Sequence, residues 1–337
     1  MKKKARIDAT EQVCTVSFGE DINVFLGNIL GKDFQKYRRC WEKATDFKLM
    51  TDYPIHIDFE MNYSCNLRCP MCVFGLPRSK RPYEPKQHIF SLEKAKEIIR
   101  EGVPLGLRSI CAGYYGEPLL RKGIIEFCNW AGKNGILDII FVTNATLMTK
   151  EVSRAILDSK ITRLRFSLDA VSKELYEKIR VGADYEDTYG NILEFLRLKK
   201  EKKLPLPVTS VNFVLMKTNE HELDDFKAFW KDKVDYVVIQ QLVNINPDKT
   251  SKAERRRIAR RFRCPQPFQR VEIRADGLVI PCCSGFGEKM PLGNVFKDSI
   301  KNMWKSYQEE HLREIHKKGE YFKDPICLKC ASVSTAT

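Results

Sequence analysis

The sequence predicts an α/β fold, built as a partial (β/α)6 TIM-like barrel with a small cysteine-rich domain after it. Two observations carry this prediction. Six short apolar runs alternate with longer helical patterns between residues 53 and 249, and five of the twelve cysteines lie after residue 263. Strand–helix alternation is typical of parallel strands joined by right-handed crossovers, and eight such units are needed to close a full barrel.

Three regions are predicted along the chain: an N-terminal extension over 1–52, the barrel over 53–249 and the C-terminal domain over 250–337. The extension is mixed and charged, with one short amphipathic helix predicted in it. The residues that indicate this helix are Phe34, Tyr37, Arg38, Cys40 and Trp41.

The predicted strands are rich in Val, Ile and Phe, which favour the extended conformation. They are Ile55–Glu60, Arg108–Ala112, Asp138–Thr143, Arg163–Leu168, Thr209–Leu215 and Tyr236–Leu242. The predicted helices lie around residues 91–101, 119–133, 149–159, 172–179, 186–203 and 220–231. Ser91 precedes the first of these helices and is typical of an N-cap.

Composition excludes several classes of protein. The chain is 43% hydrophobic and carries a formal charge of +14, so a packed core is expected and wholesale disorder is not. No apolar stretch approaches the roughly 18 residues of a membrane-spanning helix, and the basic start lacks the apolar region of a secretory signal. We therefore expect a cytoplasmic protein without disulfides, whose twelve cysteines serve metal binding, redox chemistry or packing.

Three cysteines follow the first predicted strand with the spacing C-x3-C-x2-C: Cys65, Cys69 and Cys72. A structural zinc requires four protein ligands, and the nearest imidazole, His88, stands sixteen residues beyond Cys72. A [4Fe-4S] cluster also takes cysteine ligands, and three of them leave one iron open to a small molecule. The spacing therefore favours an iron–sulfur cluster.

This loop, placed after the first strand of a partial barrel, resembles that of the radical S-adenosylmethionine (SAM) superfamily. The resemblance implies that Cys65, Cys69 and Cys72 ligate a [4Fe-4S] cluster whose open iron binds SAM. The family usually has an aromatic residue before the third cysteine, where this chain has Met71. Electron transfer to the cluster, from a flavodoxin- or ferredoxin-type donor, would cleave SAM to a 5′-deoxyadenosyl radical.

Other strand ends resemble the segments that bind SAM in this family. The segment Tyr115-Gly116-Glu117 is similar to the family's Gly-Gly-Glu, with Tyr115 in place of the first glycine. The SAM contacts implied by the resemblance are Gly116, Glu117, Asn144, Ser167, Asp169, Arg180 and Asn212. Each has an ordinary structural explanation as a turn, cap or surface residue, but together they converge on one mouth of the barrel.

A second cysteine set lies in the C-terminal domain: Cys264, Cys282, Cys327 and Cys330. Four thiolates suit either zinc or a [4Fe-4S] cluster, and the spacing does not choose between them. With the Asp276-Gly277 hairpin turn, the region resembles the SPASM/twitch extension of radical SAM enzymes, which carries auxiliary iron–sulfur clusters. The abbreviated form is similar to that of 2-deoxy-scyllo-inosamine dehydrogenases and related carbohydrate-acting enzymes, and implies one auxiliary cluster.

The remaining cysteines are assigned to packing, with one alternative. Cys14, Cys40, Cys111 and Cys128 are predicted to pack in the core. Cys283 adjoins a ligand; it either packs there or donates a hydrogen atom to a substrate radical, as in radical epimerases.

The resemblance implies hydrogen-atom abstraction from a sugar, cyclitol or nucleotide-sugar, giving dehydrogenation or epimerisation. The charge of +14 suits a phosphorylated substrate. A peptide substrate is the second hypothesis, since many SPASM proteins modify peptides. The basic runs 199–203 and 255–261 raise RNA binding as a third hypothesis, but they lack interleaved aromatic residues for base stacking. A zinc-binding interaction protein is the fourth, and it leaves the strand-end residues unexplained.

Overall fold

The structure is a computed structural model that describes residues 6–8, 13–242, 263–282 and 286–334. Its strands are β1 (Arg6–Asp8), β2 (Val13–Ser17), β3 (His56–Phe59), β4 (Ser109–Cys111), β5 (Asp138–Thr143), β6 (Arg163–Ser167), β7 (Val208–Leu215), β8 (Tyr236–Gln241), β9 (Arg270–Ile273), β10 (Leu278–Ile280) and β11 (Gly293–Asn294). Its helices are α1 (Ile22–Leu30), α2 (Lys32–Thr45), α3 (Leu92–Leu105), α4 (Ile124–Lys133), α5 (Lys150–Leu157), α6 (Lys173–Ile179), α7 (Tyr185–Glu201), α8 (Leu223–Trp230), α9 (Gln266–Gln269), α10 (Ile300–Trp304), α11 (Tyr307–Lys318) and α12 (Pro325–Ser334).

The strands form one sheet in the order β1-β2-β8-β7-β6-β5-β4-β3-β9-β10-β11. Strands β3 to β8 are neighbours in chain order and run parallel, as strand–helix alternation predicts. All six predicted strands are confirmed, with ends within one residue of the predicted bounds. This part of the chain is the predicted partial barrel.

The six predicted barrel helices are also confirmed. Ser91 caps α3 as expected, because its Oγ accepts a hydrogen bond from the backbone N–H of Lys94 at 3.2 Å. Helix α4 begins five residues later than predicted. The chain first makes a separate 3₁₀ turn over Pro118–Leu120 and then passes through Gly123, which has a φ of +80°.

The two faces of the barrel strands have opposite character. Residues such as Ile57, Phe59, Leu164 and Phe166 face the helices and belong to the main apolar core. The alternate residues face the interior of the barrel, because successive side chains of a strand point to opposite faces. Many of them are charged or polar and still buried: His56, Asp58, Glu60, Ser109, Arg163, Ser210, Asn212 and Glu272.

The N-terminal extension covers the amino-terminal ends of the barrel strands. The predicted helix is confirmed as α2, and its Tyr37 hydroxyl lies 3.3 Å from Asp138 Oδ2 at the start of β5. The Trp41 ring packs edge-on against His56 at the start of β3. Strand β2, which the sequence analysis missed, pairs antiparallel with β8 and extends the sheet.

The C-terminal region joins the opposite edge of the same sheet. Strand β9 pairs in parallel with β3, and β10 returns antiparallel to it through the predicted hairpin turn. Gly277 there has a φ of +83° and donates its N–H to the Arg274 carbonyl at 2.9 Å. The domain boundary predicted near residue 250 lies in 243–262, outside the described residues.

Candidate functional site

The loop with Cys65, Cys69 and Cys72 leaves the carboxyl end of β3, where barrel folds place their chemistry. Cys69 is buried and the other two cysteines are half-buried. The loop is folded tightly, since Cys72 donates its N–H to the Cys69 carbonyl at 2.9 Å. Gly75 packs against that carbonyl, and a Cβ there would lie only 2.2 Å from the oxygen. Only glycine therefore fits at residue 75, a constraint that the sequence analysis missed.

Gly116 and Glu117 hold the start of this loop through their backbone. Glu117 donates its N–H to the Ser64 carbonyl at 2.8 Å, and Asn62 Nδ2 donates to the Glu117 carbonyl at 3.2 Å. Gly116 has a φ of +71°, and a Cβ would stand 2.5 Å from the Ser64 oxygen. The segment predicted to bind SAM therefore packs directly on the cysteine loop.

The Glu117 side chain is a buried carboxylate that accepts hydrogen bonds from three donors. Its oxygens accept hydrogen bonds from Thr143 Oγ1 at 2.7 Å, the Asn144 N–H at 2.8 Å and the Leu119 N–H at 3.1 Å. Burial nevertheless raises the pKa of this carboxyl to about 7. Glu117 is thus rigidly placed, and its charge titrates near neutral pH.

Asn144 lies beside the first cysteine of the loop. Its Nδ2 is 3.0 Å from Asn66 Oδ1 and 3.7 Å from the Cys65 sulfur. Its Oδ1 accepts from both the N–H and the hydroxyl of Thr146. These contacts fix the orientation of the amide and position the turn that carries Cys65.

Arg180 and Asp169 form an ion pair next to the second cysteine. Arg180 Nη2 lies 2.5 Å from Asp169 Oδ2, and Arg180 Nη1 lies 3.9 Å from the Cys69 sulfur. Asp169 is fully buried, has a φ of +74° and accepts the Val214 N–H at 2.7 Å through its other oxygen. Both carboxylate oxygens thus face protein groups, while the guanidinium reaches the loop.

Ser167, the last residue of β6, is paired in register with Asn212 in the middle of β7. Ser167 is half-buried, and Asn212 is buried, with no hydrogen-bond partner for its Oδ1 among the residues that the structure describes. With Gly116, Glu117, Asn144 and Arg180, the structure gathers the predicted SAM contacts at one end of the barrel.

The interior of the barrel holds a charge cluster that the sequence analysis missed. Arg274 Nη1 donates to Glu272 Oε1 at 2.7 Å, its Nη2 lies 3.0 Å from Glu288 Oε1, and its Nε lies 3.5 Å from Glu60 Oε2. Burial raises the pKa of Glu60 to about 7 and that of Glu272 well above its usual value. The sequence does contain a pattern that indicates inward-facing charges, since charged and apolar residues alternate in His56–Glu60 and in Arg270–Arg274.

The second cysteine set lines one cavity in the C-terminal region. Its walls are otherwise mostly apolar: Cys264, Cys282, Cys327 and Cys330 line it together with Pro267, Pro281, Met290, Leu312, His316 and Ile326. Asp324 holds one wall, because its Oδ1 accepts the Cys327 N–H at 2.7 Å. Four thiols around one cavity fit a cluster that is ligated only by protein.

His316 is the polar member of this cavity, and it was not predicted. Its Nε2 lies 3.5 Å from the Cys327 sulfur, and its ring stacks on Tyr321 at a centroid distance of 5.6 Å. Burial lowers the pKa of His316 to about 4, so the imidazole is neutral at pH 7. No local pattern marks this residue, because it is eleven positions from Cys327 on a different helix.

The cysteine loop fits an iron–sulfur cluster in its donor chemistry, because three thiols lie on one short turn with nitrogen donors toward their sulfurs. In the residues that the structure describes, no three His, Cys, Asp or Glu side chains are placed to share one metal ion. A cluster differs from such a site in that each cysteine binds a separate iron.

The structure describes three of the other cysteines and one of the two basic runs. Cys111 and Cys128 are buried as predicted, and Cys40 is half-buried beside the extension's apolar core. Cys283 and the run 255–261 lie outside the described residues, as does the side chain of Cys14. In the run 199–203, Lys199 pairs with Asp235 at 3.3 Å and Lys202 pairs with Asp158 at 2.8 Å. These two lysines are thus engaged on the protein surface.

Comparison with known families identifies the class of protein. The chain belongs to the radical SAM superfamily, which matches residues 59–229. An iron–sulfur cluster-binding domain, SPASM, matches residues 264–331. The protein is therefore a radical SAM enzyme with a C-terminal SPASM domain, and its cofactors are SAM, a SAM-binding [4Fe-4S] cluster and an auxiliary [4Fe-4S] cluster. In the described part of the chain, no helix is long and apolar enough to cross a membrane.

Similar curated proteins include GTP 3′,8-cyclases. The enzyme of Alkaliphilus metalliredigens (strain QYMF) is 34% identical over 164 residues, which are 48% of this chain and 48% of that protein. The enzyme of Thermodesulfovibrio yellowstonii is 34% identical over 184 residues, 52% of this chain and 51% of that protein. The chain thus matches about half the length of these curated relatives.

Solved structures share the fold at low sequence identity. Streptococcus suis SuiB bound to S-adenosylmethionine has a TM-score of 0.56 at 16% identity, covering 84% of this chain and 72% of that one. The anSMEcpe protein with bound AdoMet has a TM-score of 0.57 at 14% identity, covering 78% and 84%. BtrN in complex with AdoMet and 2-DOIA has a TM-score of 0.51 at 18% identity, covering 82% and 93%.

Proposed function

We propose that Cys65, Cys69 and Cys72 ligate the SAM-binding cluster and that the C-terminal cavity holds the auxiliary cluster. The four auxiliary ligands would be Cys264, Cys282, Cys327 and Cys330. When bound, the first cluster and SAM supply a 5′-deoxyadenosyl radical that abstracts a hydrogen atom from the substrate. The protein's residues bind, orient and shield the reactants, as they do in other enzymes whose cofactor carries the hard step.

The residues at the barrel mouth divide into SAM contacts and positioning residues. Glu117 accepts a hydrogen bond from the SAM amino group, because its carboxylate is held in place by three donors. Arg180 contacts the SAM carboxylate, and Asp169 orients Arg180 through their ion pair. Ser167 and Asn212 contact the nucleoside. Asn144 and Gly116 hold the cysteine loop against these groups.

The substrate of this proposal is a sugar, cyclitol or nucleotide-sugar. The observation that carries it is the polar interior of the barrel, where Glu60 Oε1, Glu272 Oε2 and Ser210 Oγ are buried without a hydrogen-bond partner among the described residues. Such a lining suits a small molecule with many hydroxyl groups, because each buried polar group needs a partner. The GTP 3′,8-cyclase relatives keep a nucleotide moiety among the candidates.

The proposed reaction is dehydrogenation of an alcohol to a ketone. The alcohol loses a C–H hydrogen atom, the hydroxyl proton and one electron. The proton would go to a carboxylate of this chain, and the cofactors held by the two cysteine groups would take up the hydrogen atom and the electron. We assign Glu60 as the acceptor of the hydroxyl proton, since it is buried in the interior and its pKa of about 7 suits a general base.

Epimerisation is the second proposed outcome, with Cys283 as the hydrogen-atom donor. A flavodoxin- or ferredoxin-type protein supplies the first electron.

A peptide substrate is the alternative. One solved structure of similar fold is SuiB bound to its precursor peptide SuiA. The observation in favour here is that β1 is the outermost of the described strands, because an extended peptide binds to a protein by adding a strand to such an edge.

Deuterium transfer from labelled candidates tests the proposal. With SAM and a reductant under anaerobic conditions, a carbon-deuterated cyclitol or sugar should give deuterated 5′-deoxyadenosine and a ketone. Solvent hydrogen at an inverted carbon would instead establish epimerisation. Deuterium transferred only from a labelled peptide would contradict the proposed substrate class and favour the alternative.

A further inference from the structure

A row of unsatisfied polar atoms lies on the inner face of β6, β7 and β8. Arg165 Nε, Ser210 Oγ and Tyr236 Oη are each buried and have no hydrogen-bond partner in the described part of the chain. Buried polar groups are almost always hydrogen-bonded in folded proteins. Three such atoms on adjacent strands therefore indicate a binding partner that the described residues do not provide.

The strand register places these three residues side by side. Arg165 is paired with Ser210, and Ser210 is paired with Tyr236. The residues on either side of Arg165 in β6, Leu164 and Phe166, point to the other face of the sheet and belong to the apolar core under the helices. Arg165 and Ser210 thus face the barrel interior, two residues below the Ser167–Asn212 pair that we assign to SAM. Tyr236 ends the row at the first residue of β8, where its ring packs in the apolar cluster of the N-terminal extension.

Arg165 differs from the other arginines of the barrel interior and mouth in its charge balance. Four of these arginines have a carboxylate partner: Arg163 with Asp138 at 2.8 Å, Arg180 with Asp169 at 2.5 Å, Arg270 with Asp58 at 3.4 Å and Arg274 with Glu272 at 2.7 Å. Arg165 is half-buried and has no ion pair among the described residues. Its guanidinium is therefore available to pair with an anion.

We propose that Arg165, Ser210 and Tyr236 bind an anionic group of the substrate, a phosphate or a carboxylate. This inference rests on the proposed function, because it places the substrate in the barrel below SAM. A guanidinium offers two parallel N–H donors that match either anion, and two hydroxyl groups add further donors beside it. These three residues would then hold the anionic end of the substrate, and the other end would face the SAM contacts at the mouth of the barrel.

Calorimetric titration of the cluster-loaded protein under anaerobic conditions tests this site. The probes are ribose 5-phosphate for the phosphate, glucuronate for the carboxylate and ribose as the neutral control. We expect at least one anion to bind more tightly than ribose, and Arg165→Gln to weaken that binding by at least about tenfold. Arg165→Lys should restore part of it, because it keeps the charge without the two-pronged geometry.

Arg154→Gln is the matched control, since Arg154 is an exposed residue of α5 and its replacement changes the net charge equally. Iron content and circular dichroism establish that each variant is folded and loaded. If neither anion binds more tightly than ribose, or if Arg165→Gln binds like Arg154→Gln, the row serves water alone and the inference is wrong.

The titration separates this inference from the proposed function, because binding requires no SAM cleavage. A protein that binds the anion through Arg165 but releases no 5′-deoxyadenosine contradicts the proposed function alone. A protein that cleaves SAM but shows no Arg165-dependent anion binding contradicts only the anion site.

Discussion

The two cysteine groups lie in opposite surroundings. At the barrel mouth, the Cys65 sulfur is 3.7 Å from Asn144 Nδ2 and the Cys69 sulfur is 3.9 Å from Arg180 Nη1. The C-terminal cavity is instead lined mostly by apolar side chains, and its one imidazole, His316, is neutral because burial lowers its pKa to about 4. The first group has nitrogen donors near two of its sulfurs, whereas the second lies among mostly apolar side chains. In each group one cysteine is buried and the others are half-buried.

This difference matches two tasks for iron–sulfur chemistry. A cluster with three cysteine ligands has to admit a polar, charged molecule to its open iron, so nitrogen donors and partial exposure are useful there. A cluster with four cysteine ligands binds nothing else, and the mostly apolar lining of its cavity lowers the polarity around it and so tunes its reduction potential. The residues around each cysteine group therefore distinguish a SAM-binding cluster from a fully ligated one better than the number of thiols alone.

The largest effect is expected from removing one cysteine of each group. Cys69→Ala should abolish SAM cleavage and lower the iron content from about eight to about four per chain. Cys327→Ala should lower the iron equally yet retain SAM cleavage while product formation is lost. Iron analysis and 5′-deoxyadenosine release measure these effects, and buried Cys128→Ala is the control. Loss of SAM cleavage in Cys327→Ala would contradict the separate roles assigned to the two cysteine groups.

Gly75→Ala should disrupt the cluster assigned to Cys65, Cys69 and Cys72 without replacing any of these three ligands. Its Cβ would lie 2.2 Å from the backbone oxygen of Cys69, so the loop has to shift. We expect iron bound at the loop to fall to a small fraction while the auxiliary cluster is retained, as read by iron content and electron paramagnetic resonance. Gly190→Ala in α7, where nothing lies within 4 Å, should leave both clusters loaded. Full loading of Gly75→Ala would contradict the geometry.

Glu117→Gln should weaken SAM binding by about 10- to 100-fold, because a hydrogen bond to a charged group contributes about 1.5–3 kcal/mol. The amide oxygen can still accept from Thr143 and Leu119, which both donate to Oε1, whereas the Asn144 N–H loses its acceptor at Oε2. Circular dichroism and iron content therefore have to establish that the variant is folded and loaded. Equilibrium binding of SAM to the cluster-loaded protein measures the change. Unaltered affinity would remove Glu117 from the SAM contacts.

The pH dependence of SAM binding should follow the Glu117 carboxyl, whose pKa burial raises to about 7. The ionised form accepts the hydrogen bond, so affinity should rise by about tenfold between pH 6 and pH 8. This rise should be absent in Glu117→Gln, when both proteins are titrated with SAM across that range. A rise of equal size in both proteins would assign the titration to another group.

The smallest effect is expected at the auxiliary site. A ligating Cys327 thiolate can only accept, so His316 Nε2 donates to it, and this hydrogen bond raises the reduction potential. His316→Phe should lower that potential by about 60 mV, which corresponds to a tenfold change for a one-electron couple. Potentiometric titration measures it, and the exposed His311→Phe on the same helix is the control. Equal potentials in both variants would exclude a role for His316.

Sequence patterns predicted the barrel well because they are local. Strand and helix periods around Ile57 or Phe166 depend on neighbouring residues, and the three-cysteine spacing is itself a local signature. The charge cluster at Arg274 was missed because the alternation of charged and apolar residues does not show which strands meet. Glu60 and Arg274 come together only when β9 pairs with β3, more than two hundred residues away. The contact between His316 and Cys327 and the covering of the strand ends by Tyr37 also depend on distant packing.

Anaerobic reconstitution followed by iron and sulfide analysis and a SAM cleavage assay tests the central claim most directly. Two clusters predict about eight irons and eight sulfides per chain, together with release of 5′-deoxyadenosine under reductant. Zinc bound in place of iron, or iron-loaded protein that leaves SAM intact, would contradict the assignment of the two cysteine groups.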